Sequence, residues 1–280
     1  MTQHLRVLVI GASGRVGRML RRYWQAAPPR GIALTYQTRQ RGEIAWDAAD
    51  GPDALAAHGP FDRLLVLAGV TPGPGADMAQ NELIARACHA AAAQVGAAHM
   101  LLASSSAVYG TAQNRPYSEA DTPIPTNTYG KAKLDAERSI EGGLPTCALR
   151  IGNVLGADAL MVNAATASAG NPVHLDRFAD GRGPLRTYIG PGTLAQVLET
   201  LLHAGDTLPG ALNIGAPMPV AMETLLEAHG APYTARPAPP EAVQRITLNC
   251  GALDALHAFD PDASTARHML DQWAKLGDAP

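Results

Sequence analysis

Val7-Leu8-Val9-Ile10-Gly11-Ala12-Ser13-Gly14-Arg15-Val16-Gly17 is the stretch that decides the fold. Four apolar residues in a row read as a strand buried on both faces, and three glycines at a spacing of three follow where the apolar pattern turns helical. Gly11 permits a tight turn, Gly14 lets the backbone approach a pyrophosphate, and Gly17 lets helix and strand pack closely. The amides at the helix N-terminus offer donors to the anion. Ser13, Arg15 and Val16 share this turn and are expected to line a dinucleotide with the glycines.

Working outward, short apolar runs at Leu5 to Ile10, Ile32 to Tyr36, Leu64 to Leu67, His99 to Ala103 and Thr146 to Arg150 read as buried strands. Val16 to Ala26, Met78 to Val95 and Thr128 to Ile140 carry helical spacing between them. The alternation predicts an α/β chain with a Rossmann-type, doubly wound parallel sheet. After Asn153 it weakens. A Gly/Pro-punctuated region from Gly170 to Pro191 precedes a helix pattern at Leu194 to His203, a strand at Ala211 to Ile214 and a helix at Met222 to His229. Pro232 to Pro240 reads as a connector. The expected division is a dinucleotide-binding domain over 1–152 and a smaller substrate-binding lobe over 153–280, with some segments returning to the first domain. Ligands of such sheets sit at the C-terminal edges of the strands.

Composition excludes several classes. The 280 residues are 46% apolar and 17% charged with a net charge of -3, which fits a folded enzyme-sized chain and offers no basic face for nucleic acid or a membrane surface. No stretch approaches the ~20 apolar residues of a membrane span. Cys88, Cys147 and Cys250 are far apart, odd in number and set in apolar segments, so they read as free buried thiols of a reducing, cytoplasmic compartment. The nine histidines show no ligand spacing, and no metal is expected.

Where an NAD site has an acid about 20 residues after the glycine turn, the segment Leu34-Thr-Tyr-Gln-Thr38-Arg39-Gln-Arg41 has none. Thr38, Arg39 and Arg41 suit a 2′-phosphate instead, so NAD(P) is expected with NADP favoured over NAD. Further on, Ser104-Ser105-Ser106-Ala-Val-Tyr109-Gly110 ends a strand, and Tyr129-Gly-Lys-Ala-Lys133 opens a helix. Tyr129 and Lys133, four apart, share a helical face. An ammonium beside the phenol, with the positive nicotinamide, is expected to lower the tyrosine pKa from ~10 toward neutrality.

Together these motifs resemble the extended short-chain dehydrogenase/reductase family, also called the NAD-dependent epimerase/dehydratase family, over nearly the whole chain. The resemblance implies that Ser105 hydrogen-bonds the reacting oxygen, Tyr129 exchanges its proton, and Lys133 holds the nicotinamide ribose. Asp47 and Ala48 resemble the family's adenine contact, and Leu67-Ala68-Gly69 its cofactor-lining third strand. Asn81, before a helix ending in alanines, also fits the pattern. Asn153, in Leu149-Arg150-Ile-Gly-Asn153-Val-Leu-Gly156, stands at a substrate-contacting position, with Ser106 beside the catalytic serine. Arg186, in Asp180-Gly-Arg182-Gly-Pro-Leu-Arg186-Thr-Tyr188-Ile189, resembles the arginine that grips a nucleotide-sugar diphosphate.

Two departures narrow the expectation. The 4,6-dehydratases of the family carry an Asp-Glu pair where this chain has Ser106 and Ala107, and Gly190-Pro-Gly-Thr193-Leu194 stands where an acid is common. The resemblance therefore implies an epimerase or ketoreductase of a nucleotide sugar, not a 4,6-dehydratase, and a homodimer formed through the helices at Met78 to Val95 and Thr128 to Ile140. A reductase of a small unphosphorylated keto compound and a non-catalytic NAD(P) sensor stand as alternatives.

Overall fold

The computed structural model describes residues 4–277 except 41, 111, 112 and 114, so Arg41 lies outside the described residues. The first half alternates β1 (Leu5–Ile10), α1 (Arg15–Ala26), β2 (Ile32–Thr38), β3 (Ile44–Ala45), α2 (Pro52–Ala56), β4 (Arg63–Val66), α3 (Gln80–Gln94), β5 (His99–Ser105), α4 (Thr128–Arg138) and β6 (Thr146–Ile151). The second half holds β7 (Asn153–Val154), α5 (Ala159–Ala164), β8 (Val173–Arg177), β9 (Leu185–Arg186), β10 (Tyr188–Ile189) and α6 (Pro191–Ala204). It continues through β11 (Ala211–Ile214), β12 (Val220–Ala221), α7 (Met222–His229), β13 (Tyr233–Pro237), β14 (Arg245–Ile246), α8 (Gly251–Asp254) and α9 (Ala266–Ala274).

One sheet of seven parallel strands runs β11-β6-β5-β4-β1-β2-β3. Alternate residues of each central strand enter opposite cores, as a sheet covered on both faces requires. Val7, Val9, Leu65 and Leu101 pack with Leu20 and Trp24 of α1 and with Leu194, Leu198 and Leu201 of α6. Leu8, Ile10, Leu64, Val66, Met100 and Leu102 pack with Ala85, Cys88, Ala91 and Ala92 of α3 and Ala136 of α4. Each fully buried side chain of this size stabilises the fold by roughly 1.5–3 kcal/mol. The strand order reverses between β1 and β4, so the glycine turn after β1 opens at the crevice where doubly wound sheets take ligands.

The strand at Ala211–Ile214 and the helix before it belong to this sheet: β11 pairs with β6, burying Leu212 and Ile214 completely, and α6 packs on α1. Around them a third core forms from Leu155, Met161, Leu175, Leu225, Leu226 and Met269. The stretch Pro232 to Pro240 is not a plain connector. Tyr233–Pro237 pairs in parallel with Val173–Arg177, within the region expected to be irregular. The ladder tolerates the proline because Pro237 is the strand's last residue in a two-stranded sheet. Cys88, Cys147 and Cys250 are buried free thiols. Among the described residues no helix is long and apolar enough to cross a membrane, and no group of three or more His, Cys, Asp or Glu is placed to hold a metal.

Candidate active site

At the switch point the backbone leaves no room for a side chain at Gly11 or Gly17. Gly11 has φ +86° and its N–H donates to Gln37 Oε1 at 3.0 Å. A Cβ on Gly17 would lie 2.5 Å from the Gly11 carbonyl oxygen, so any larger residue would push the first turn of α1 off the strand. Gln37, 3% exposed, also donates to the Trp46 carbonyl and so joins the turn to the loop after β3. Sequence reasoning missed it; its one signal is a glutamine inside an apolar strand.

These parts enclose a cavity of about 480 Å³. It is lined by Gly11, Ser13 and Gly14 of the glycine turn, by Thr38, Arg39, Asp47 and Ala48, and by Leu67, Ala68 and Gly69 after β4. Asp47 caps the short helical turn Ala48–Asp50 by accepting from the Ala49 N–H at 3.0 Å. The donor set, an open backbone turn at the start of α1 beside polar side chains at the ends of β2 and β3, fits a dinucleotide.

Leu67 and Gly69 also line a second, adjoining cavity of about 260 Å³, which holds Val16, Ser105, Tyr129, Lys133 and Asn153 together. α4 is started by Asn127, whose Oδ1 accepts from the Gly130 N–H at 2.8 Å. One turn later Lys133, 7% exposed, donates from Nζ to the Ala103 carbonyl at 2.9 Å. Ser105 ends β5, and its Oγ accepts from the Ala107 N–H at 3.2 Å. Ser106 lies in the helical turn Ser106–Tyr109, and Arg15 is exposed on α1; neither is among the residues lining this cavity.

The electrostatics correct one expectation. Burial raises the Tyr129 phenol above its ordinary range, against the lowering effects of a hydrogen bond with Ser105 and the charge of Arg15. Lys133 supplies no lowering effect of its own. Burial lowers its ammonium to about 8, with Glu137 one turn along opposing that shift. Burial outweighs the Ser105 bond and the charge of Arg15, and the lysine expected to acidify the tyrosine does not enter the balance.

Arg186 stands apart. Its guanidinium donates to the carbonyls of Leu185 at 2.9 Å, Gln244 at 2.7 Å and Val243 at 2.7 Å, and it is not among the residues lining the cavity. The fork expected for a diphosphate is thus engaged in fastening β9 to the backbone before β14. Asn81, 3% exposed, clamps the loop after β4: it accepts from the Val70 N–H and donates to the Val70 carbonyl, each at 3.1 Å.

The family described as "NAD dependent epimerase/dehydratase family" matches residues 7–206. Among solved structures, a UDP-glucose 4-epimerase of Thermus thermophilus in complex with NAD superimposes with a TM-score of 0.74 at 23% identity, over 96% of this chain and 99% of that one. The Bordetella bronchiseptica enzyme WbmG, in complex with NAD and UDP, gives 0.78 at 17% identity over 98% and 96%. TunA, an NAD-dependent NDP-hexosamine 5,6-dehydratase, gives 0.75 at 18% over 98% and 99%. At these identities the likeness is one of fold. No curated protein sequence matches the chain.

Proposed function

This chain belongs to the NAD dependent epimerase/dehydratase family, and from that premise we propose that it is an NAD(P)-dependent epimerase or ketoreductase acting at a hydroxyl or carbonyl carbon of a nucleotide sugar. The observation that carries the reading is the meeting of Ser105, Tyr129 and Lys133 in one cavity that adjoins the dinucleotide-shaped one. When bound, the nicotinamide cofactor supplies the two-electron acceptor or donor. Tyr129, kept protonated by burial, gives its proton to the oxygen of a carbonyl being reduced, while the Ser105 hydroxyl holds that oxygen in place. Lys133 would hold the ribose of the bound cofactor. Dehydration of the 4,6 type is disfavoured because neither Ser106 nor Ala107 carries a carboxyl group.

Thr38 and Arg39 at the cavity wall support tighter binding of NADP than of NAD. Titrating both cofactors decides this, and equal affinity or tighter NAD would overturn it. We infer further a homodimer through α3 and α4, which pack side by side on one face of the sheet. One observation favours a second reading, a reductase of a small unphosphorylated keto compound: the Arg186 guanidinium is turned to main-chain carbonyls. Competition by UDP, dTDP or GDP separates the two readings, because only a nucleotide-sugar site has a handle for them.

Tyr129→Phe tests the core of the proposal. Loss of the proton carrier should lower turnover by roughly 10²- to 10⁴-fold with cofactor binding retained. Turnover within about threefold of wild type would refute the assignment, since acid/base help is worth far more than that.

A further inference from the structure

The cavity of Ser105 and Tyr129 is also lined by Asp158, an acid the proposed proton and hydride transfers do not use. Its carboxylate is asymmetrically satisfied. Oδ2 accepts a 2.9 Å hydrogen bond from the hydroxyl of Tyr188, a side chain with no exposed surface, and Asn153 hydrogen-bonds the same phenol. The register of β7 with β10 sets this up by placing Asn153 directly opposite Tyr188. Oδ1 is buried and has no hydrogen-bond partner. Burial pushes the acid up to about 6; the bond from Tyr188 and the nearby N–H groups of Asp158, Leu160 and Gly156 oppose the rise.

The backbone N–H groups at the start of α5 bias the carboxylate, yet none reaches Oδ1 in hydrogen-bond geometry, and an acceptor held out of water without a partner costs the fold free energy. Asp158 is the N-cap residue of α5, but its side chain makes no cap hydrogen bond, and an asparagine oxygen would satisfy Tyr188 equally well, so neither contact accounts for the second carboxylate oxygen. We propose that Asp158 is a substrate-binding residue whose carboxylate, turned to present Oδ1 to the cavity it lines, accepts a hydrogen bond from a hydroxyl of the sugar. The assignment rests on the nucleotide-sugar reading and deepens it. Asp158 then discriminates between sugars by which ring hydroxyl is present and where it points, because a sugar that lacks it leaves the carboxylate oxygen unpaired.

The test is calorimetric titration of the cofactor-loaded protein with UDP-glucose, dTDP-glucose and GDP-mannose, each compared with free UDP, dTDP or GDP. Asp158→Asn keeps an oxygen for Tyr188 and puts an N–H donor where Oδ1 was, at unchanged shape. The expected result is a loss of about ten- to a hundredfold for the sugar nucleotide that wild type binds, with its diphosphate unchanged. An unchanged sugar nucleotide, or an equal loss for both ligands, overturns the role of Asp158 and leaves the nucleotide-sugar reading standing. If wild type binds none of the six ligands, that reading fails and the assignment fails with it. Should Asp158→Asn not fold, Tyr188→Phe decides: it frees Oδ2 and must weaken the sugar nucleotide alone, and an unselective effect or none overturns the proposal.

Discussion

Lys133→Met should make the protein more stable as it removes activity. The ammonium is 7% exposed, and burial moves it from the ordinary 10.5 to about 8. That displacement corresponds to roughly 3 kcal/mol by which the folded state disfavours the charge. Methionine keeps the length of the stem and omits the charge, but it loses the 2.9 Å hydrogen bond from Nζ to the Ala103 carbonyl, worth about 1 kcal/mol. The net expectation at pH 7 is a gain of roughly 2 kcal/mol, or about 4 °C in Tm at this chain length. The pH dependence gives a second reading. Between about 8 and 10.5 the unfolded chain holds the proton that the fold has released, so wild-type stability climbs with pH through that window. The advantage of Lys133→Met is therefore full below pH 8 and fades by pH 10.5. Urea unfolding of both proteins at pH 7 and pH 10, without added cofactor, measures it. A variant less stable than wild type at pH 7, or an advantage unchanged at pH 10, would refute the reasoning.

Three other substitutions probe the scaffold. Glu137→Gln breaks the 2.9 Å ion pair with Arg150, both side chains being 8% exposed, and should cost roughly 3–5 kcal/mol in urea unfolding; a loss below about 1 kcal/mol would show the pair to be dispensable. Gly17→Ala drives a Cβ to 2.5 Å from the Gly11 oxygen and should cost about 1–3 kcal/mol, outweighing the better helix propensity of alanine. It should also weaken cofactor binding at least about tenfold, and unchanged affinity would mean that the turn adapts. Arg186→Ala should lower stability by roughly 1–3 kcal/mol and leave UDP affinity alone, whereas a selective loss of UDP binding would return Arg186 to the diphosphate site.

What the sequence made legible was local. The turn at Gly11 to Gly17 and the shared face of Tyr129 and Lys133 follow from spacing, because a strand, a tight turn and a helix each have one period. Helix ends were less legible. The pattern from Met78 suggested an earlier start, yet the backbone ahead of Gln80 closes three-residue turns, Asn81 N–H to Met78 O and Glu82 N–H to Ala79 O, before α3 is regular. What escaped altogether depended on partners far along the chain. Tyr233–Pro237 becomes a strand only because Val173–Arg177, 60 residues earlier, offers it an edge. Arg186 is committed by carbonyls 57 and 58 residues later. The direction of the Tyr129 shift could not be read from the lysine four residues on, since burial is a property of everything packed around the phenol.

Long-range contacts of the same kind explain how α4 is fixed against the second half of the chain. Glu137, one turn beyond Lys133 on α4, accepts from Ser104 on β5 and pairs with Arg150 on β6. Arg150 donates to the Tyr109 hydroxyl at 3.1 Å, and that hydroxyl donates to Asn213 Oδ1 at 2.8 Å. Asn213 lies on β11, is fully buried, and donates in turn to the carbonyls of Tyr117 and Asn249. An unbroken line of hydrogen bonds therefore runs from the serine beside Ser105, through the helix that carries Tyr129 and Lys133, to the segment before α8. Each member is a polar group whose partner comes from a different element, so a shift of α4 along the sheet would strand several buried donors and acceptors at once. Hydrophobic contacts alone would let a helix slide by a fraction of an ångström at small cost. The proton transfer proposed for Tyr129 depends on hydrogen-bond reach to a substrate oxygen and could not absorb that slip, so on that proposal the polar interior behind this cavity has a physical reason.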